Sequence, residues 1–376
     1  MKIPLSILIL VPFLTYCTPN KDKETSNTSR EFEVVEEFRI EGSKDADKFY
    51  FVSPGHIAIG NNGNIFVGDF QLPTVSMFDE NGSFIKTIGK EGRGPGEYLG
   101  FGGLEALEDG RLAIWAQRNS RVNYYSANGE PLSSQIIPAE LYTKKVFEKG
   151  LNSKIYFKRN VFDPERIERK NKIWVEYSEA GEPLDTLYIP RKASADKLYY
   201  VLWTNSGDAH PFIETNITAM HPSGFLVTGY NSEYSIKRLY SDSSEIRYQR
   251  IITKAKVNPE EASQWKKFNS GYGVQNDIPD FKPYFKDIII DADGRIWVWR
   301  YVDAVQRNDV YTRLDNGWWE QPTFDVFLEK GEFYGTVKLP FNAKFMEAKG
   351  ANVWAIHTNE NGEETVVQYK LVPKSI

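Results

Sequence analysis

One cysteine, four histidines and no long run of Lys or Arg set the first limits on this 376-residue chain. A lone cysteine excludes a disulfide within the chain and a cysteine-rich zinc site. A formal charge of −5 argues against nucleic acid as a partner, because a polyanion is normally met by a basic field. Nucleotide-loop spacing is also missing. Gly89 to Gly96 is rich in glycine, but no Gly-x-x-x-x-Gly-Lys-Ser/Thr follows, and Tyr98 to Gly103 does not read as a helix. The stretch is read as a tight connection between repeats. What the chain has in quantity is aromatic residues, 14% of the total with nine Trp and 21 Tyr, which suits strands and stacking surfaces.

Ile3 to Leu14, which follows Lys2, is an apolar run interrupted only by Pro4, Ser6 and Pro12. It is too short to span a bilayer and has the length of a signal-peptide core. Leu14-Thr15-Tyr16-Cys17 then resembles a bacterial lipobox, with Tyr16 where a small residue is usual. The reading is a signal peptide over 1–17 ending at Cys17, which is lipidated. A plain secretory peptide cut nearby is the alternative. Residues 18–31 are polar and read as a flexible tether, leaving 32–376 as one folded domain.

Internal repetition dominates that domain. Its unit is strand, Gly-type turn, strand, loop, strand, Gly-type turn, strand. The clearest copy runs His56–Gly60, Asn61-Asn62-Gly63-Asn64, Ile65–Asp69, Val75–Phe78, Asp79-Glu80-Asn81-Gly82 and Phe84–Gly89. Turns with Asn-Gly or Asp-Gly accept positive φ and join antiparallel strands tightly. Five further units follow, with turns at Asp109-Gly110, Ala180-Gly181, Ser223-Gly224, Asp293-Gly294 and Lys349-Gly350. The sixth unit stops after three strands. Phe32 to Ile40, which has no partners of its own, fits as its outer strand and leaves no terminal edge unpaired. The expectation is an all-β, six-bladed β-propeller of four-stranded antiparallel blades, with the last blade closed by the N-terminal strand.

These residues resemble the NHL-type six-bladed propellers, in particular the six-bladed propeller lipoproteins of Gram-negative bacteria. Gly63 to Asp69 followed by Val75 to Gly82 is similar to a full NHL repeat. Gly92-Arg93-Gly94-Pro95-Gly96-Glu97 is similar to an element that follows the first blade in the lipoprotein group. The resemblance covers about residues 32–372 and implies a place at the cell envelope, lipid-anchored on the periplasmic or outer-membrane surface.

Strand parity separates the two rims. First-to-second and third-to-fourth turns fall on one face and are short. The long segments Asn160–Lys170, Arg191–Glu214, Thr253–Pro283 and Tyr301–Gln321 all fall on the other. Loops of that size tend to carry function or structure of their own. Asn258-Pro259-Glu260-Glu261 has the marks of a helix start, leading through Ala262 to Phe268. Such a helix either lids the channel mouth or only plugs the ring.

Candidate ligand contacts on the long-loop face are Asp69, Arg118 with Asn119, Tyr230, Arg300, His210, His357 and the pair Trp318-Trp319. Two adjacent Trp in a polar loop suit sugar stacking or peptide docking; a local mini-core under the loop is the other reading. The four histidines are dispersed over the chain, and Asp291-Ala292-Asp293-Gly294 lacks the later ligands of a calcium loop. No catalytic set, metal site or cofactor is assigned. The function expected is a binding or scaffold module for a glycan, peptide or partner protein, held to a membrane through Cys17. The alternative, taken from related propellers, is a metal-dependent lactonase or lyase-type enzyme with its site in the central channel.

Overall fold

A computed structural model describes residues 30–42, 49–72, 74–137, 147–162, 170–178, 180–188, 212–240, 246–268, 278–307 and 317–374. Cys17 and His210 lie outside them.

Six four-stranded antiparallel blades form in sequence order. Blade one is Pro54–Ile59, Ile65–Asp69, Val75–Phe78 and Phe84–Ile88. Blade two is Phe101–Ala106, Leu112–Ala116, Arg121–Tyr125 and Pro131–Ile136. Blade three is Phe147–Lys149, Ile155–Phe162, Lys170–Tyr177 and Pro183–Tyr188. Blade four is Asn216–Met220, Leu226–Tyr230, Ser235–Leu239 and Arg247–Gln249. Blade five is Phe285–Ile290, Ile296–Arg300, Thr323–Phe327 and Phe333–Lys338. Blade six takes Ala343–Lys349, Asn352–Thr358 and Glu364–Pro373 from the C-terminal part and Glu31–Ile40 from the N-terminal part.

The closing strand pairs antiparallel with Glu364–Pro373, Phe32 opposite Pro373 and Ile40 opposite Val366. Arg39 fastens it further, donating to Thr365 Oγ1 at 3.1 Å and to His357 Nδ1 at 3.2 Å. The ring is therefore zipped shut by its two distant ends, as the incomplete sixth unit requires.

Apolar side chains gather between blades. Ala58, Phe66 and Met77 of blade one pack with Leu104, Leu112 and Ile114 of blade two. Comparable clusters join blades two and three, three and four, four and five, five and six, and six and one. Second strands such as Ile65–Asp69 and Leu112–Ala116 are buried at every residue, because a neighbouring blade covers each face. Outer strands such as Phe84–Ile88 alternate with solvent.

The first-to-second turns place glycine at positive φ in five blades, for instance Gly63 at 85° and Gly294 at 77°. Blade three does the same with Asn152 at 57° and Ser153 at 59°, at a strain cost that glycine avoids. These turns hold one another around the whole rim. Asn61 Nδ2 donates to Glu108 O at 3.0 Å, and Asp109 N to Ser153 Oγ at 3.1 Å. Met220 N donates to Glu148 Oε2 at 2.7 Å. Ala292 N reaches Ala348 O at 3.0 Å, and Lys349 Nζ returns to Gly60 O at 3.0 Å. Between blades four and five the link is His221. Its Nδ1 accepts from Ser223 N, so Nε2 carries the hydrogen and donates to Gly294 O at 2.8 Å. Burial lowers the pKa of this imidazole and keeps it neutral.

Asp291 serves the same rim. Its Oδ1 accepts from Asp293 N and Arg295 N, and its Oδ2 from Arg295 Nε and Trp297 Nε1. The Asp-Ala-Asp-Gly sequence is thus a turn whose carboxylate is fully engaged.

Candidate functional site

On the opposite rim, between blades five and six, lies a cleft of about 540 Å³. Blade five contributes Lys286 from its first strand and Trp299 and Tyr301 from the end of its second. Blade six contributes Asn342, Ala343 and Lys344 where its first strand begins, and Thr358 where its second ends. Three of the long segments complete the walls. They bring Phe212, then Glu261 and Trp265, then Trp318, Trp319 and Glu320.

Local sequence explains each wall. The helix Pro259–Phe268 starts as its capping residues dictate: Glu260 N donates to Asn258 Oδ1 at 2.8 Å, and Asn258 N donates to Glu261 Oε2 at 3.4 Å. One helical turn on from Glu261, Trp265 reaches the cleft. Trp318-Trp319 forms one side of a small ribbon, with Trp319 opposite Val305 and Trp318 opposite Gln306. Both indoles are half-buried.

A buried ion network binds these parts together. Lys282 is fully buried, and its ammonium donates to Glu261 Oε1 at 2.9 Å and Glu320 Oε1 at 3.0 Å. Glu320 Oε2 accepts from Val302 N at 3.0 Å and lies 3.2 Å from Lys286 Nζ. The Lys286 ammonium also sits 5.2 Å from the Trp299 ring centre and 5.0 Å from that of Tyr301. Helix, ribbon and blade five are thereby held in one geometry. Burial, reinforced by the Glu320 charge, raises the Tyr301 pKa, so its hydroxyl stays protonated.

Of the residues singled out from the sequence, the structure brings Trp318 and Trp319 together in this cleft. The other candidates among the described residues are placed elsewhere. Asp69 is buried and accepts four backbone amides, from Val52, Ser53, Gln71 and Leu72, at 2.8–2.9 Å. Asn119 accepts from Leu99 N at 2.9 Å and donates to Gly92 O at 3.0 Å. Both satisfy the backbone of the connection entering their blade, where amides would otherwise be unpaired. Asn231 does the same in blade four, with Thr215 N and Ile213 O. Arg118 is exposed on blade two, and Tyr230 is buried at the end of the second strand of blade four. Arg300 lies 3.6 Å from Asp325 Oδ1, which Arg250 also holds at 2.6 Å. His357 is half-buried beside Arg39, and burial together with that guanidinium lowers its pKa.

Sequence reasoning missed Trp265, Lys286, Trp299, Tyr301 and Asn342. Trp299 and Tyr301, two apart at the end of a strand, share a face and were the one local cue.

A second polar cluster lies on the first strands of blades two, three and six. Lys149 Nζ of blade three lies 4.0 Å from Glu105 Oε2 of blade two, and Glu148 of blade three and Glu347 of blade six act on Glu105 electrostatically. Burial pushes the Glu105 pKa up to about 8, with Glu347 and Glu148 adding to the rise and Lys149 opposing it. Burial likewise pushes Glu347 up to about 7, with Lys149 opposing and Asp291 adding. Among the described residues no group of three or more His, Cys, Asp or Glu is placed to hold a metal ion.

Comparison with known proteins agrees with this architecture. Residues 24–201, which span the closing strand and blades one to three, match the family DUF5128, described as 6-bladed beta-propeller. The chain is a six-bladed β-propeller. A solved member of the DUF4221 family from Bacteroides vulgatus is similar at a TM-score of 0.55 and 13% identity, covering 92% of this propeller and 99% of that chain. A Bacteroides fragilis protein assigned as exported is similar at 0.52 and 11% identity, covering 94% and 98%. At such identities the likeness concerns the fold. No curated protein matches the chain.

Proposed function

We propose that this propeller is an exported binding protein, anchored at the envelope through Cys17, that takes a glycan, peptide or partner protein in the cleft between blades five and six. The observation that carries this reading is the cleft itself. Three separate insertions converge to place Phe212, Trp265, Trp318 and Trp319 around one space, held by a buried ion network. A concave aromatic site with a few fixed polar groups is the usual form of a ligand pocket. Export is supported by the apolar run before Cys17 and by the assignment of the Bacteroides fragilis protein.

Strand polarity supports a consistent presentation. The closing strand starts beside the end of Glu364–Pro373 and finishes beside its beginning, about 30 Å further on. Thr358, just before that beginning, lines the cleft. A tether joined at Glu31 therefore reaches the propeller at the end of the strand remote from the cleft, which leaves the cleft clear of the attachment point.

The test is binding by the soluble 18–376 protein on glycan and peptide arrays, repeated with the Trp318→Ala, Trp319→Ala double variant. The double variant keeps its melting transition and loses binding by about a hundredfold, as removal of two central aromatic contacts implies. Normal binding by that variant, or its failure to fold, makes the pair packing and overturns the site. Stoichiometric, tightly held Ca²⁺ or Zn²⁺ on the purified protein would instead favour the lactonase- or lyase-type alternative.

A further inference from the structure

We infer that the cleft selects a carboxylate-bearing sugar, its ring laid on the indoles and its carboxylate drawn to the Lys286 ammonium. This rests on reading the cleft as a ligand site and adds the ligand's chemistry.

Charge is the first argument. Among the described residues that line the cleft or lie directly under it, Lys282, Lys286 and Lys344 stand against Glu261 and Glu320, on a chain whose net charge is −5. The two carboxylates are already committed. Glu261 meets Lys282 and the helix cap, and Glu320 is shared between Lys282, Lys286 and the Val302 amide. Lys286 carries three donors, has one carboxylate oxygen at 3.2 Å and keeps 24% of its side chain exposed. Two aromatic faces flank it at 5.0 and 5.2 Å, which supports the cation without supplying an acceptor in the plane of a hydrogen bond. An anionic oxygen arriving from the cleft completes this shell.

Wall chemistry favours a sugar ring over an acidic peptide. A bound peptide strand gains affinity from a free backbone edge. Here four backbone amides along the walls of blades five and six are already taken: Thr358 N with Asn342 O, Ala343 N with Pro340 O, Tyr301 N with Tyr284 O and Val302 N with Glu320. What lines the wall is indoles beside the Asn342 side-chain carbonyl oxygen and the Thr358 hydroxyl, with Asn342 Nδ2 itself fixed on Thr358 O at 3.0 Å, a combination suited to a ring with one apolar face and hydroxyl edges.

The test is calorimetry at low salt with the soluble 18–376 protein. The probes are galacturonate and glucuronate trisaccharides, their carboxyl-reduced neutral counterparts, and triglutamate. At least one acidic trisaccharide is expected to bind about tenfold or more tighter than its neutral form, the effect of one charge-assisted contact. Lys286→Met is expected to abolish that preference and Lys286→Arg to retain it. Equal affinity for acidic and neutral forms, no binding of any trisaccharide, or equal binding of triglutamate overturns the inference. The wild-type ratio alone decides the matter if a variant fails to fold. The cleft reading falls separately, if the double tryptophan variant binds its array ligand normally or fails to fold.

Discussion

On one rim of this propeller, short turns of near-identical design grip their neighbours blade by blade at 2.7–3.1 Å. On the other, the same strands open into insertions of unequal length, three of which meet at the cleft between blades five and six. The first rim repeats because each turn has one job, to hold the next blade in register. The second varies because nothing in ring closure constrains it, so chemistry can accumulate there without disturbing the core. The polar groups differ accordingly. Asp291, His221 and Ser153 on the short-turn rim are engaged with backbone or adjacent side chains, whereas Lys286, Trp318 and Trp319 border open space.

Several variants would break or sharpen that contrast. Removing residues 30–40 should have the largest effect. Blade six then loses a strand paired from Phe32 to Ile40 and exposes the edge of Glu364–Pro373, so circular dichroism should show loss of the cooperative melting transition.

Lys282→Met should come next, at about 3–5 kcal/mol, because it leaves buried Glu261 without its cation and Glu320 with Lys286 alone. The damage should be confined to the long-loop rim. Hydrogen exchange should accelerate in Pro259–Phe268 and leave the turns at Gly63 and Gly110 unchanged. Equal acceleration on both rims would erase the distinction between them.

His221→Ala should cost about 2–3 kcal/mol, since it leaves Gly294 O without a donor and opens a void where the imidazole stacks on Phe225 at 4.1 Å. This loss belongs to the junction of blades four and five, and exchange there should show it.

A further effect is one of pH. Glu105 and Glu347 have folded pKa values near 8 and 7, above those of free carboxyls, so the folded state holds more protons than the unfolded one between about pH 4.5 and 8. Their contribution is present at low pH and lost as pH rises through that window. Denaturant titrations should show the wild type weakening toward pH 8 and Glu105→Gln with Glu347→Gln flattening that limb. His221 acts in the reverse sense, since its lowered pKa makes stability fall as pH drops below about 6.5.

The ring was legible from the sequence because its turns use residues with a narrow conformational meaning. Where blade three replaces glycine with Leu151-Asn152-Ser153, the turn was not recognised, and neither was the three-residue strand Phe147–Lys149 before it. The helix was legible from Asn258, Pro259 and Glu261, which act locally. The cleft was legible only at Trp318-Trp319, where two bulky residues adjoin in sequence. Trp265, Lys286 and Asn342 come from separate elements, and only the closed ring brings them together. Asp69 and Asn119 show the opposite limit. A polar residue at a strand end looks available in a sequence, yet backbone amides and carbonyls of the incoming connection claim it.

Hydrogen exchange on the propeller with and without a saturating array-identified ligand tests the two-rim account most directly. Protection should rise in 259–268, 299–302, 317–320 and 341–344 and stay unchanged at the turns near Gly63, Gly110, Gly224 and Gly350. Protection appearing on the short-turn rim instead would contradict it.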